Sequence, residues 1–170
     1  MLKLSLFFGM LMTVNNISST GVAVQAPPPQ AAIVMNQNER QFLDLTNKER
    51  AQRGLQQLTI DPVLIETARK HSREMAEKRY FSHYSPTAGI ATPMDRYLTE
   101  VRYQPSWLLV GENLFYCSMV GVDRGHNAFM NSPGHRANIL EPRYERMGVG
   151  EYIDSNGEFW ITEMFLAQTD

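Results

Sequence analysis

The chain has 170 residues, 43% of them hydrophobic and 20% charged, which suits one globular domain with its own core. A net charge of −2 leaves no basic footprint for nucleic acid. Its single cysteine, Cys117, excludes an intrachain disulfide and reads as a buried structural thiol in the apolar setting L-F-Y-C-S-M-V.

Residues 1–26 have the anatomy of an export signal: Lys3, an apolar run over 4–14, and a small-residue end, V-Q-A, closing at Ala26. The run is shorter than the ~20 residues a bilayer crossing needs, so no stable membrane span is expected after cleavage. Residues 27–36 form a linker opened by Pro27, Pro28 and Pro29, which favour an extended chain. The domain is then expected over 37–170, in a protein secreted to the outside of the cell, the periplasm or the cell surface.

Asn36 or Asn38 can cap a first helix to about Arg53, with Phe42, Leu43 and Leu45 inward and Glu39, Arg40, Lys48, Glu49 and Arg50 outward. Gly54 is placed to end it in a left-handed conformation. After Leu55, Leu58 and Ile60, Asp61-Pro62 opens a second helix to about Arg79, with Leu64, Ala68, Met75 and Ala76 as its stripe. His71 falls on that stripe and reads as a hydrogen-bonded structural residue. His83, in the turn-rich Y-F-S-H-Y-S-P that follows, is the better functional candidate, because loops on rigid scaffolds present reactive side chains. Thr92-Pro93 opens a third helix to about Glu100, with Met94, Tyr97 and Leu98 inward.

Pro105 breaks the chain before W-L-L-V at 107–110, read as a short buried strand. It leads into G-E-N-L at 111–114, where Glu112 stands between apolar segments and must find partners or be protonated. A fourth helix over 122–130 carries His126 in the polar stretch D-R-G-H-N, hence toward solvent. It runs up to S-P-G-H-R-A-N-I-L at 132–140. There Ser132 suits an N-cap and Pro133 the first helical position, while Gly134 permits close backbone approach. Ala137, Ile139 and Leu140 can face a core, and His135 is displayed on the first turn. R-M-G-V-G-E-Y-I at 146–153, the hairpin signal Asn156-Gly157 and F-W-I-T-E-M-F-L-A at 159–167 give two strands. The last is apolar on both faces, which calls for helices above and below a sheet.

Ordered along the chain, N-K-E-R at 47–50, the helix start at 61–68, His71-Ser72 with Met75-Ala76, F-S-H at 81–83, G-E-N-L, 131–140 and 159–165 resemble the CAP superfamily. That group holds cysteine-rich secretory proteins, antigen 5 and plant pathogenesis-related proteins, and the likeness is to its exported bacterial branch of SCP-like extracellular proteins. The resemblance implies an α/β fold, a three-layer α-β-α sandwich, with a surface cleft. In many members the cleft gathers two histidines and two acidic residues that can bind a divalent metal. Carried over, the histidines are His83 and His135 and the first carboxylate is Glu112. The second acidic position falls at Asn131 and Ser132, where this chain has no carboxylate.

Two imidazoles with Glu112 suit zinc in a three-ligand site completed by water. In a metal-free cleft, Glu112 would instead hydrogen-bond His83 or His135 and fix the wall. Two functions are consistent with these residues. A non-enzymatic binding module would use the cleft of His83, Glu112, His135, Asn131 and Ser132 for a lipid-like small apolar molecule, a cell-wall component or a protein. A metal-dependent peptide or ester hydrolase would use His83, His135 and Glu112 as ligands, or Glu112 as general base. The binding module is preferred, because the acidic set is incomplete and no Ser-His-Asp order emerges.

Overall fold

The structure, a computed structural model, describes residues 33–101 and 105–169. The expected export signal and residues 27–32 of the linker lie outside them. No described helix is long and apolar enough to cross a membrane.

Polar side chains set where the helices begin. Asn36 caps α1 (Gln37–Ala51) through a reciprocal box with Glu39, the two backbone N–H groups being satisfied at 2.9 and 2.8 Å. Asp61 accepts from Val63 N and Leu64 N at the start of α2 (Pro62–Lys78), and Arg79 ends that helix at φ 55°. Thr92 and Asp95 exchange the same kind of bonds at the head of α3 (Pro93–Val101). α4 (Val122–Asn131) and α5 (Pro133–Ile139) meet at Ser132, which closes one helix and opens the next. The expected hydroxyl cap is not made there; Ser132 instead donates its N–H back to Ala128 O and Phe129 O as the end of α4.

The strands β1 (Thr59–Ile60), β2 (Trp107–Cys117), β3 (Arg146–Ile153) and β4 (Phe159–Thr169) form one sheet in the order β1-β3-β4-β2. β1 runs parallel to β3 and the other pairs are antiparallel. β4 is buried from Phe159 to Ala167, as its two-sided apolar pattern requires. Alternation along it sends Trp160, Met164 and Leu166 against α2 and α3, where Leu64, Ala68, Met75 and Tyr97 wait. Phe159, Ile161 and Phe165 go to the other face, against Phe42 of α1, Phe129 of α4 and Ile139 of α5. The result is an α-β-α sandwich. Its layers touch most closely at β3, where a Cβ on Gly150 would lie 2.1 Å from Arg69 N and one on Gly148 2.3 Å from Ile65 N.

Several side chains depart from the reading of the sequence. Glu39 and Arg50 are fully buried rather than outward, because they share the sheet-facing stripe of α1 with Phe42. Each is matched in place: Glu39 takes two bonds from Arg69, and Arg50 donates to the carbonyls of Gln56, Ile139, Glu141 and Tyr144. On α3 the inward positions go to Arg96 and Tyr97, leaving Met94 exposed. His126 is buried, not solvated, since the neighbouring Gly125 packs directly on Phe42 and Phe115 and draws that side of α4 inward. Gly134 meets nothing, Ala137 is exposed, and of the expected inward trio only Ile139 is fully buried. G-E-N-L is the middle of an 11-residue strand whose ends emerge from the core: Trp107 is exposed and Cys117 only half-buried, its Sγ donating to Met119 O.

Candidate functional site

β2 is the edge strand beside β4, and its side chains alternate between the two faces of the sheet. Glu112 pairs in register with Met164 and Asn113 with Glu163, which puts Glu112 on the α2–α3 face and Asn113 on the face of α1, α4 and α5. The Glu112 carboxylate is almost wholly buried, and both its oxygens are taken. Oε2 accepts from Arg96 Nη2 at 2.6 Å and Oε1 accepts from His83 Nδ1 at 2.8 Å. Arg96, buried as well, also donates to the His83 carbonyl at 3.2 and 3.3 Å. A buried carboxylate is sustained by this pairing on both oxygens.

The loop that delivers His83 is tied down by Glu74 on α2. Tyr80, Ser85 and Thr87 hydroxyls and the Lys78 ammonium all donate to the Glu74 carboxylate. Burial pushes the Glu74 carboxyl up, but these four hydrogen bonds outweigh it and hold it at about 2. Ser82 and Ser85 close local turns by accepting from Tyr84 N and Thr87 N. His71 serves the same loop: it is buried, its Nε2 donates to Ser82 O at 3.1 Å, and burial lowers its pKa. The structural reading of His71 holds. Its Nε2 also lies 4.0 Å from Glu112 Oε1.

His135 arrives from the opposite layer. Its carbonyl accepts from Asn113 Nδ2 at 3.2 Å, and Asn138, one turn on, donates to the Glu112 carbonyl at 3.0 Å and to Asn113 Oδ1 at 2.9 Å. These bonds lay α5 along the β2 edge. The imidazole packs edge-on against Phe129, with ring centroids 5.2 Å apart. Burial, and secondarily charge on His83, hold its pKa below the usual histidine range. The two histidines thus come from different layers into one electrostatic neighbourhood. Asn131 is exposed and Ser132 half-buried at the α4–α5 joint beside them.

Each Glu112 oxygen accepts one hydrogen bond, and the carboxylate backs the His83 imidazole. Among the described residues no three His, Cys, Asp or Glu side chains are grouped to hold a metal ion. A cavity of about 70 Å³ between α2 and α3 is floored by His71 and Arg96 and does not include His83 or His135.

Four residues of this site were not singled out in the sequence: Arg96, Asn113, Asn138 and Glu163. Arg96 sits beside Tyr97 within an apolar helical face, and Glu163 is a lone carboxyl in a strand apolar on both sides. Each was visible as a charge needing a partner. Asn113 and Asn138 carry no comparable signal, because a short amide suits a loop or a strand end equally well.

Residues 43–165 match the family described as CAP, cysteine-rich secretory protein family. The chain is 38% identical over 130 residues to the uncharacterized protein YkwD of Bacillus subtilis (strain 168), a match taking in 76% of this chain and 47% of YkwD. The chain therefore spans about half the length of that relative. An extracellular protein containing a SCP domain from Bacillus anthracis str. Ames is similar in structure at a TM-score of 0.63 and 32% identity, over 76% of this chain and 40% of the other. An outer surface protein from Borrelia burgdorferi shares the fold at a TM-score of 0.70 and 21% identity, over 81% of this chain and 97% of that one.

Proposed function

Because the chain belongs to the CAP, or cysteine-rich secretory protein, family and to its bacterial branch, we propose that it is an extracellular, non-enzymatic binding module. Its ligand, a lipid-like molecule, a cell-wall component or a protein, would enter the cleft of His83, Glu112 and His135 with Asn131 and Ser132 at the rim. The observation that carries this reading is the engagement of Glu112. Bonded to a buried guanidinium and to His83, it is committed to building the wall. The exposed rings of Phe81 and Tyr84, which flank His83 in its loop, offer apolar surface to such a ligand. The extracellular description of the Bacillus anthracis relative supports the location.

One observation favours a second reading, a metal-dependent peptide or ester hydrolase. A carboxylate behind an imidazole is the arrangement that orients a metal-binding histidine, and the Glu112–His83 bond has that form. A zinc ion would then use the imidazoles of His83 and His135, with Glu112 behind His83, and would supply Lewis acidity.

Calorimetric titration separates the two. Zinc, a fatty acid, a phospholipid and soluble cell-wall fragments are each titrated into the protein and into His83→Ala and His135→Ala variants. The binding module predicts stoichiometric uptake of one organic probe, insensitive to chelator and weakened at least tenfold in both variants. Zinc affinity lost in both variants, together with zinc-dependent cleavage of a peptide or ester, would replace it with the hydrolase.

A further inference from the structure

Glu163 lies in the central strand, between Val149 of β3 and Asn113 of β2, with no exposed surface. Ile161 and Phe165 on either side of it belong to the hydrophobic core, so its carboxyl is set in apolar surroundings where a bare charge is costly. One oxygen, Oε2, accepts from Asn113 Nδ2 at 3.0 Å. The other, Oε1, has no hydrogen-bond partner, and neither has the buried Thr46 Oγ1 of α1. Thr46 is nevertheless close enough to influence the Glu163 carboxyl. A hydrogen bond between Oε1 and Thr46 Oγ1 satisfies both atoms: the hydroxyl accepts from the protonated carboxyl and donates to the ionised one.

The same carboxyl stands at the root of the bonds that shape the cleft. Asn113 Nδ2 has two hydrogens, one for Glu163 Oε2 and one for the His135 carbonyl. The carbonyl can only accept, so this amide has one workable orientation. Its Oδ1 then receives Asn138, which also holds the Glu112 carbonyl. We propose that Glu163 is a positioning residue for the cleft: through Asn113 and Asn138 it fixes the α5 turn that carries His135 against the stretch of β2 that carries Glu112. The inference deepens the binding reading above and rests on it for its functional meaning, though not for its geometry.

Burial pushes the Glu163 carboxyl up to about 8, with Asn113 and Thr46 pulling the other way. Other titratable groups on this side of the sheet are engaged elsewhere. On α1, Glu39 is paired with Arg69 and Arg50 with backbone carbonyls. On α4, His126 has Glu49 and Asp123 as its charged neighbours, while His135 of α5 faces Phe129 and His83. Tyr144, ahead of β3, stacks on Phe165.

The test is ¹H–¹⁵N spectroscopy of the imidazole and side-chain amide groups from pH 5.5 to 9.5 in the full chain and in Glu163→Gln and Glu163→Met variants. In the unaltered chain, the His135 imidazole and the Asn113 and Asn138 amides should shift together with a midpoint near pH 8. His135's own titration lies below the usual histidine range and is separate. Glu163→Gln, neutral and nearly isosteric, should hold the low-pH positions throughout. Glu163→Met removes the acceptor from Asn113 and should displace all three signals at every pH. A folded Glu163→Met chain with these signals unmoved overturns the proposal. So does a Glu163→Gln chain with the pH dependence of the original, which decides the matter if Glu163→Met does not fold. No ligand enters these spectra, so a failure of the His83→Ala and His135→Ala titrations would remove the binding reading alone.

Discussion

At the scale of single residues, the setting of His83 depends on one buried ion pair, Arg96 with Glu112, at 2.6 Å with both side chains almost fully enclosed. Such a pair adds little over an apolar replacement of the same shape, but removing one partner strands the other. Arg96→Ala is therefore expected to lower stability by about 3–5 kcal/mol in urea denaturation. Arg96→Met combined with Glu112→Gln should be markedly milder than either single change, and a double variant as damaged as Arg96→Ala would show that the guanidinium acts through the loop carbonyls instead. The need for such a partner was legible in the sequence, because a carboxylate between apolar segments has few other options. The partner's identity was not. Arg96 is 16 residues away, on a helix whose apolar positions suggested that Met94 would point inward, and only the packed structure shows that the guanidinium reaches the Glu112 carboxylate and the His83 carbonyl together.

At the scale of elements, the helix starts were legible because each depends on local chemistry. Asp61→Ala removes two N-cap bonds from α2 and the 2.9 Å contact to the half-exposed Arg146. It should cost about 1 kcal/mol, nearly all from the cap. Ser132 broke the pattern because one residue serves two helices and its backbone is already committed to α4. What local chemistry could not show is how closely layers approach. The two glycines of R-M-G-V-G-E-Y-I read as ordinary strand residues, yet α2 rests its backbone on them. Gly150→Ala would drive a Cβ to 2.1–2.2 Å from α2 backbone atoms, which cannot swing aside as a side chain can. The expected loss is about 3 kcal/mol or more, at the upper end for an overpacked site, with displaced amide signals along α2. Gly134→Ala is the contrasting case. Its Cβ meets open space in a helix, so stability should hold or rise by up to about 1 kcal/mol. The same contrast corrects the sequence reading, which had assigned close approach to Gly134.

At the scale of the whole molecule, the buried titratable groups set opposing pH dependences. His71 and His126 are kept neutral by burial, so their folded pKa values lie below the unfolded one. The unfolded chain binds their protons first, and stability falls as pH drops below about 6.5. Glu163 works in the other direction. Its folded pKa is raised to about 8 against roughly 4.3 when unfolded, so the folded chain holds a proton that the unfolded chain has released. Its contribution is complete below about pH 4.3 and is lost as pH rises to about 8. Between roughly pH 4.3 and 6.5 the two trends oppose each other, and between 6.5 and 8 the loss from Glu163 continues after the histidine trend has ended, with Glu151, also raised by burial, acting in the same sense. The urea midpoint of the unaltered chain should therefore fall over pH 6.5–8, while that of Glu163→Gln falls less there and drops on the acid side. The two curves should meet near pH 4 and separate to a ceiling of about 5 kcal/mol at pH 8 and above, the variant being the more stable. A midpoint level from pH 6.5 to 8 in the unaltered chain would mean that Glu163 is already ionised within the fold, held as a carboxylate by Asn113 and the Thr46 hydroxyl.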